Sequence, residues 1–574
     1  MNNKKIAKTL HNLADLLELS GENPFRIRAY RRAARSIENS KKNLLQMQDH
    51  FEELDGIGKG MAQVISEIIE TGTTQLLEER KKALPPGLMD LLQLPGVGPK
   101  TIYTLYQKLN ITNIDELKQA IAQQEIRLLK GFGPKKEQKI MDAIQTMEQR
   151  PKRVLWVHAR ILAERLLERL TNLALIEKAA LAGSLRRKKE TIKDIDLLVA
   201  TTKVHQTINE IKQFPEVKEM LQEGDAKIHF LAEFEEICLP VDLRFVTAQQ
   251  FGSALHHFTG SSDHNIRIRQ IGKKLGYKIN EYGIEDLSTG ETLTFEAEAD
   301  FYQHLQLPFI APELREDRGE IEAANNRQLP NLVTQEMVKG DLHIHTLYSD
   351  GAHSIQEMVE AAQKMGYQYL AITDHSRSLK VASGLSIEEL LEQWQEIDQI
   401  NHRLTNFQVL KGTEVDILPD GSLDYPDEIL SQMDLVIASI HTSFQLDQKT
   451  MTNRICKAMQ NPYVHIIGHP TGRLLLKREP YALDIEQIFQ VAHETGTILE
   501  LNANPHRLDL NDALLKQAKE EYKLKFSINT DAHSIEQLSL ISYGIGTARR
   551  GWLEKNDVIN LHPWEKAKKW LKGS

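Results

Sequence analysis

Lys193-Asp194-Ile195-Asp196-Leu197-Leu198-Val199-Ala200 alternates and then runs apolar, the pattern of a half-buried strand, so Asp194 and Asp196 leave the same face. Two carboxylates on one face repel, and divalent cations held between them make the pair tolerable. Asp242 is central in the β-rich run Leu239-Pro240-Val241-Asp242-Leu243-Arg244-Phe245-Val246 and can supply a third ligand from a neighbouring strand. Such a triad points to two-metal phosphoryl transfer, with the ions roughly 3.5–4 Å apart. Just upstream, Gly183-Ser184-Leu185-Arg186-Arg187 offers a tight turn whose N–H groups and hydroxyl can hold a phosphate, with Arg187 adding fixed positive charge. An Asp-x-Asp on a solvent-facing strand is the plain alternative for the pair alone, because short motifs match by chance. The combination is far more specific.

Gly-Ser-x-Arg-Arg, Asp-x-Asp and a later Asp resemble the palm of the family X DNA polymerases, the beta-like repair enzymes. His257-Phe258-Thr259-Gly260-Ser261, followed by Asn265 and Arg269, is similar to that family's Tyr-Phe-Thr-Gly-Ser block, which holds the incoming nucleotide's sugar and base. The resemblance implies that Asp194 and Asp196 bind both metals, Mg²⁺ or Mn²⁺. It implies that Asp242 ligates the catalytic metal and helps activate the primer 3′-hydroxyl. Gly183, Ser184 and Arg187 would meet the triphosphate, Phe258 and Gly260 the sugar, and Asn265 the base edge, with Arg269 completing the block. His257 departs from the family's usual Tyr, which bears on how strictly deoxyribose is selected.

With 574 residues the chain is too long for one core, and about 150 residues per domain gives three or four units. Its 41% hydrophobic and 26% charged residues are those of a globular protein. Lys4, Lys5, Lys8, Asp15 and Glu18 exclude a signal peptide or membrane span at the start, so a cytoplasmic protein is expected. Cys238 and Cys456 form no Cys-x-x-Cys pattern, which fits a reducing compartment, argues against a thiolate zinc site and reads as two core residues. The formal charge of −9 is unevenly spread: residues 1–200 carry 34 Lys+Arg against 25 Asp+Glu. A basic first third can attract a phosphate backbone and an acidic remainder can attract metal ions.

Residues 1–45 read as helices, with Ile6, Leu10, Leu13, Leu16 and Leu17 on one face. A second helix from Asn23-Pro24-Phe25 carries Arg26, Arg28, Arg31, Arg32 and Arg35 around Tyr30, with no interleaved acid until Glu38, which favours a phosphate-tracking surface. Three segments then repeat a Gly-apolar-Gly core: Gly56-Ile57-Gly58-Lys59-Gly60, Gly96-Val97-Gly98-Pro99-Lys100 and Gly131-Phe132-Gly133-Pro134-Lys135. Each reads as a helix-hairpin-helix motif, its glycines permitting positive φ and the following helix offering N–H groups to a phosphate. Binding of this kind is independent of base sequence, so structure-specific binding of gapped or primer-template DNA is expected. The family often carries lyase activity on a lysine after the first hairpin. Here Val64 stands at that position and cannot act as an amine nucleophile.

A different chemistry follows the acidic, polar stretch after Pro312. Asp341-Leu342-His343-Ile344-His345 places two imidazoles on one side of a strand. Further candidate ligands recur at or after the ends of strand-like segments: Asp350, His375, Glu414, His441, His469, Asp531 and His533, with helical stretches such as 355–365, 387–404 and 485–494 between them. Polar residues at the carboxyl ends of strands that alternate with helices describe a β/α barrel with its site at that rim. Mixed His and carboxylate ligands suit two or three ions of zinc, manganese or iron, a cluster fit for phosphoester hydrolysis. Residues 338–574 resemble the polymerase and histidinol phosphatase (PHP) domain, whose opening motif matches His343-Ile-His345-Thr-Leu-Tyr-Ser-Asp350-Gly351. That resemblance assigns the nine residues as ligands of Mn²⁺ or Zn²⁺, although related domains place one ligand a position later, where this chain has Gly351. Arg473 and Lys477 either bind the scissile phosphate or solvate a loop.

Together the resemblances imply a multidomain chain: a helical DNA-binding domain over 1–85, a hairpin-bearing fingers-like domain over 86–150, an α+β nucleotidyltransferase palm over 151–245, a nucleotide-facing thumb-like domain over 246–315, a linker over 316–337 and a distorted PHP β/α barrel over 338–574. Their order is that of the bacterial family X polymerases, which pair gap-filling synthesis from dNTPs with 3′–5′ exonuclease activity and sometimes cleavage at abasic sites. A nucleotidyltransferase for a small molecule or RNA, and a non-catalytic DNA-end-binding scaffold, are the rival classes. The three hairpins argue against the first and the intact acids and histidines against the second.

Overall fold

The computed structural model describes residues 3–40, 44, 51–54, 56–92, 94, 96–148 and 153–572 and divides into two compact units, residues 1–151 and 152–574. The first unit is helical, from Asn3–Leu19 and Pro24–Asn39 to Pro99–Leu109 and Pro134–Glu148. Its core gathers the expected stripe of Ile6, Leu10, Leu13, Leu16 and Leu17. Asn23 starts the second helix by accepting from the Phe25 N–H at 2.9 Å, with Pro24 at its first position.

In the second unit, a five-stranded sheet runs in the order Lys178–Leu181, Ile195–Ala200, Ile237–Val246, Lys227–Phe234, Val217–Glu223. Only the contact between Ile195–Ala200 and Ile237–Val246 is parallel, and it sets Asp196 directly beside Asp242. Asp194 stands one residue ahead of the strand that the alternation predicts to contain it. Cys456 is buried, but Cys238 is exposed, because it alternates with buried Leu239 on the outward face of its strand. Two helices, Phe251–Thr259 and Ser262–Lys274, then lead to a small antiparallel sheet of Tyr277–Ile279, Ile284–Asp286 and Thr292–Leu293.

Residues 316–337, expected from their polarity to be a linker, are folded instead. They include the helix Glu320–Asn325, and Glu320 is fully buried. Their charges are consumed inside the molecule: Glu316 pairs with Arg187 and Arg550, Arg318 with Asp512, and Glu320 with His264. Polarity read as solvation is here the complement of buried cations.

The last part of the chain is a seven-stranded parallel sheet in strict sequence order, from Gly340–Asp341 through Tyr369–Ile372, Gln408–Asp416, Leu435–Ser439, Ile466–Ile467 and Ile498–Asn502 to Phe526–Asn529. A parallel bridge between Ile344 and Ala532, just past the first and last strands, nearly closes the sheet on itself as a barrel. Helices Ile355–Lys364, Ile387–Asn401, Gln448–Gln460, Ile485–Thr495 and Asp512–Tyr522 fill the connections. No described helix is long and apolar enough to cross a membrane.

Candidate palm, nucleic-acid and metal sites

In each of the three hairpins the first glycine takes positive φ, at +80° for Gly56, +73° for Gly96 and +84° for Gly131. Gly58 and Gly98 cap the helices Lys59–Thr71 and Pro99–Leu109. A Cβ added at Gly58, Gly60, Gly98 or Gly133 would meet nothing within 4 Å, so a backbone phosphate can approach these helix starts closely. Lys100 lies in the first turn of its helix and is exposed. Lys135, Lys136 and Lys139 line a cavity of about 400 Å³ with Gly96, Val97 and Thr101, which brings the second and third hairpins to one cationic recess. The arginine-rich helix is less free than its sequence suggests. Arg31 pairs with Asp15 and Glu18, and Arg26 with Glu22, so acids from outside the helix neutralise part of its face. Val64 is partly buried against the helical core.

In the palm, Asp196 and Asp242 face one another in register, with Asp194 adjacent. Burial, then Asp194 and Asp242, push the Asp196 carboxyl up to about 7, against the opposing pull of Arg187 and Arg244. A carboxyl so crowded by anions is a ready ligand for a cation. Gly183 opens the turn Gly183–Arg186 at φ +60°, and a Cβ there would lie 1.7 Å from Asp196 Oδ2. His229 Nδ1 is 3.1 Å from Asp242 Oδ1. Ser184 is half-buried on the same turn.

The other nucleotide-facing candidates divide into exposed and occupied groups. Arg269 is exposed, and Phe258 lies under the Arg244 guanidinium at 4.4 Å. Asn265 Nδ2 donates to the carbonyls of His257 at 2.7 Å and Gly260 at 3.3 Å, leaving Oδ1 buried without a partner. A Cβ at Gly260 would meet that Oδ1 at 2.5 Å, so this glycine keeps the turn tight against Asn265. Arg187 is buried, its guanidinium donating to Glu316 at 2.9 Å and to the Thr259 carbonyl at 2.8 Å. Its charge therefore organises the junction of palm and thumb. Arg244, two residues past Asp242 and on the same face, is a cation that the sequence reasoning passed over.

At the barrel rim all nine expected residues converge. His345, Asp350, His375 and His533 form one potential ligand group, His343, His345 and Glu414 a second, and His375, Glu414 and His441 a third. Within each group the ligand atoms lie within 4.8 Å of one another. Glu414 is the hub: its oxygens lie 2.9 Å from His375 Nδ1, 3.0 Å from His469 Nε2 and 3.3 Å from His441 Nε2. Asp531 Oδ1 is 3.2 Å from His345 Nε2, and Asp350 Oδ1 is 3.4 Å from His533 Nε2. Gly351 has no room for a ligand, since a Cβ there would stand 2.6 Å from the His345 carbonyl oxygen.

Burial would raise the Glu414 carboxyl, but His441, His343 and His375 outweigh it and hold the group well below its ordinary range. Burial likewise opposes a charged His441, which Glu414 and Asp416 nonetheless push up to about 10. His343 Nε2, both ring nitrogens of His345, His375 Nδ1, His469 Nδ1 and Glu414 Oε2 are buried without hydrogen-bond partners. Buried imidazole nitrogens and a carboxylate oxygen, crowded together but making no hydrogen bond, are ligand atoms that fit divalent cations, which would satisfy them all at once.

Four supporting residues escaped the sequence reasoning. Glu500 Oε1 is 2.7 Å from His343 Nδ1 while its Oε2 accepts from the His469 N–H, and Asp416 is 2.6 Å from His441 Nδ1. Each orients an imidazole from behind. Asp341 accepts from Thr530 and the His343 N–H, joining the first and last strands. Arg507 brings its Nε to 3.8 Å from Asp531 Oδ2. Glu500 and Asp416 carried a signal, being acids within apolar strands; Arg507 carried none. Arg473, a candidate phosphate ligand, is held by Glu190 and the Leu508 carbonyl, whereas Lys477 is exposed.

Family models match at residues 1–74 (helix-hairpin-helix domain), 88–146 (SAM-like helix-hairpin-helix tandem), 254–316 (DNA polymerase beta thumb) and 341–504 (PHP domain). The DNA polymerase/3′-5′ exonuclease PolX of Bacillus subtilis is 45% identical over 572 residues, covering 100% of both chains. A "probable phosphatase" of Thermoanaerobacter sp. is 30% identical over 244 residues, 40% of this chain and 94% of its own. Another, from Syntrophotalea carbinolica, is 28% identical over 229 residues, 38% of this chain and 90% of its own.

Proposed function

This chain belongs to the family X DNA polymerases that carry a C-terminal PHP domain, and we propose that it fills short gaps in DNA during repair and processes DNA ends at its second centre. It is a DNA-directed DNA polymerase and a 3′–5′ exodeoxyribonuclease, acting on DNA and dNTPs with divalent metal ions. The finer reading is ours: Mg²⁺ or Mn²⁺ in the palm, two or three Mn²⁺ or Zn²⁺ ions at the barrel rim, gapped or primer-template duplex as the preferred DNA, cleavage at abasic sites as a further reaction, and the cytoplasm as the site of action. The domain limits apart from the 316–337 linker, and the residue roles apart from phosphate binding by Arg187 and Arg473, belong to the same proposal.

The observation that supports synthesis best is the anionic pair Asp196 and Asp242, side by side in parallel register beneath the Gly183 turn. Asp194, Asp196 and Asp242 would hold the ions, which when bound neutralise the triphosphate and lower the barrier to phosphoryl transfer. Asp242, with His229 at 3.1 Å, would take part in drawing the proton from the primer 3′-hydroxyl. The turn at Gly183 and Ser184 would orient the triphosphate by N–H and hydroxyl donors. Phe258, Gly260, Asn265 and Arg269 would line the sugar and base side.

At the rim His343, His345, Asp350, His375, Glu414, His441, His469, Asp531 and His533 would hold the ions, which when bound bind a phosphate and acidify a water. Glu500 and Asp416 keep His343 and His441 oriented, and Arg507 adds positive charge beside Asp531. Steady-state extension on gapped, nicked and open primer-template DNA tests the gap-filling reading. A preference for the gap is the expected result, and equal use of all three substrates would contradict it.

A further inference from the structure

Arg550 ends the helix Ile541–Arg550, which belongs to the C-terminal barrel, yet one arm of its guanidinium reaches the palm. Nη1 donates to the backbone carbonyl of Arg187 at 2.7 Å and lies 3.0 Å from Glu316 Oε1, while Nη2 is 2.7 Å from Asp512 Oδ2. Arg187 caps the turn Gly183–Arg186, the turn whose first residue abuts Asp196. From the same position Arg187 reaches the Thr259 carbonyl, at the end of the helix that leads into Gly260-Ser261. The Arg550 side chain is only 3% exposed, so these bonds form in a dry junction where geometry is tightly held.

We propose that Arg550 of the PHP domain is a positioning residue for dNTP binding in the palm. It fixes the triphosphate-side turn and, through Arg187 and Glu316, the thumb residues on the sugar side. The inference rests on the polymerase reading of the palm. On this account the C-terminal domain is a structural part of the synthetic site as well as the carrier of a second activity.

The test compares Arg550→Met and Arg550→Lys with wild type in the full-length protein, measuring dNTP KM, kcat and DNA KM on one gapped duplex, and exonuclease rate on the same DNA. Arg550→Met is expected to raise the dNTP KM by between about 10-fold and about 100-fold, the cost of a small displacement of a binding group, while DNA KM and exonuclease rate hold. Arg550→Lys restores charge but cannot span all three acceptors, so it falls between. Arg318→Met serves as control, since Arg318 shares Asp512 but does not touch Arg187, and its dNTP KM stays at the wild-type value. An unchanged dNTP KM in Arg550→Met overturns the inference. So does a parallel loss of both activities in both Arg550 variants, which would mark a purely structural junction. Wild-type extension in the same assay separates this failure from failure of the polymerase reading.

Discussion

Gly183 lies so close to Asp196 that a Cβ on it would stand 1.7 Å from the aspartate's Oδ2. The same glycine holds φ at +60°, which L side chains adopt only at a cost. Position 183 is thus doubly restricted, by backbone conformation and by the carboxylate it covers. Gly183→Ala is expected to lower primer extension by about 100-fold, since the displaced group is a metal ligand, while leaving exonuclease rate intact. Equal rates of extension in mutant and wild type would mean that the turn does not order the palm acids.

Behind the rim histidines, Glu500→Gln and Asp416→Asn each remove a charge that orients an imidazole. Losses of this kind typically cost about 10-fold to 100-fold in metal affinity or activity. Exonuclease rate and metal content after dialysis are expected to fall together in both variants, with dNTP incorporation unchanged. Normal metal content in either one counts against the role assigned to its carboxylate.

The buried acids that join the palm to the barrel carry a pH signature. Glu316, despite burial, is held down to about 2 by Arg550 and Arg187, and Glu313 to about 2 by Arg549 and Lys188. A carboxyl whose folded value lies below its unfolded one stabilises the fold above the unfolded value near 4.5, and that contribution is lost as pH falls toward 2. For Glu316 the difference amounts to roughly 3 kcal/mol at most. Thermal unfolding followed from pH 7 to 3 is expected to show a melting temperature that drops below about pH 4.5. Glu316→Gln should be less stable at pH 7 and show a shallower drop. An identical pH slope in the two proteins would sink this assignment.

Much of this was legible in the sequence because the informative groups sit at fixed distances along the chain. Gly56 and Gly58, Gly96 and Gly98, and Gly131 and Gly133 announce their hairpins by spacing alone. The rim ligands other than Asp350 announce themselves at or near the end of a strand. What escaped depends on partners remote in sequence. In sequence Arg187 reads as a phosphate ligand, but Arg550, 363 positions away, takes its carbonyl and shares Glu316. The polarity of 316–337 read as solvation for the same reason: a carboxylate looks alike in water and against a buried arginine until the fold brings the arginine to it.

Val64 occupies the place of the family's lyase lysine and packs partly into the helical core. Borohydride trapping of the full-length protein on an abasic substrate is therefore expected to yield no stable adduct. A covalent adduct would identify another amine as nucleophile.

Two independent metal-dependent centres on one chain, one that makes and one that breaks phosphodiester bonds, require two activities that single substitutions can separate. A gel assay of one end-labelled primer on gapped duplex DNA with Mn²⁺, with and without dNTPs, compares wild type with Asp196→Ala and His441→Ala. The wild type is expected to lengthen the primer with dNTPs and shorten it without them. Asp196→Ala should only shorten it, and His441→Ala should only lengthen it. Loss of both activities in either variant would contradict the account.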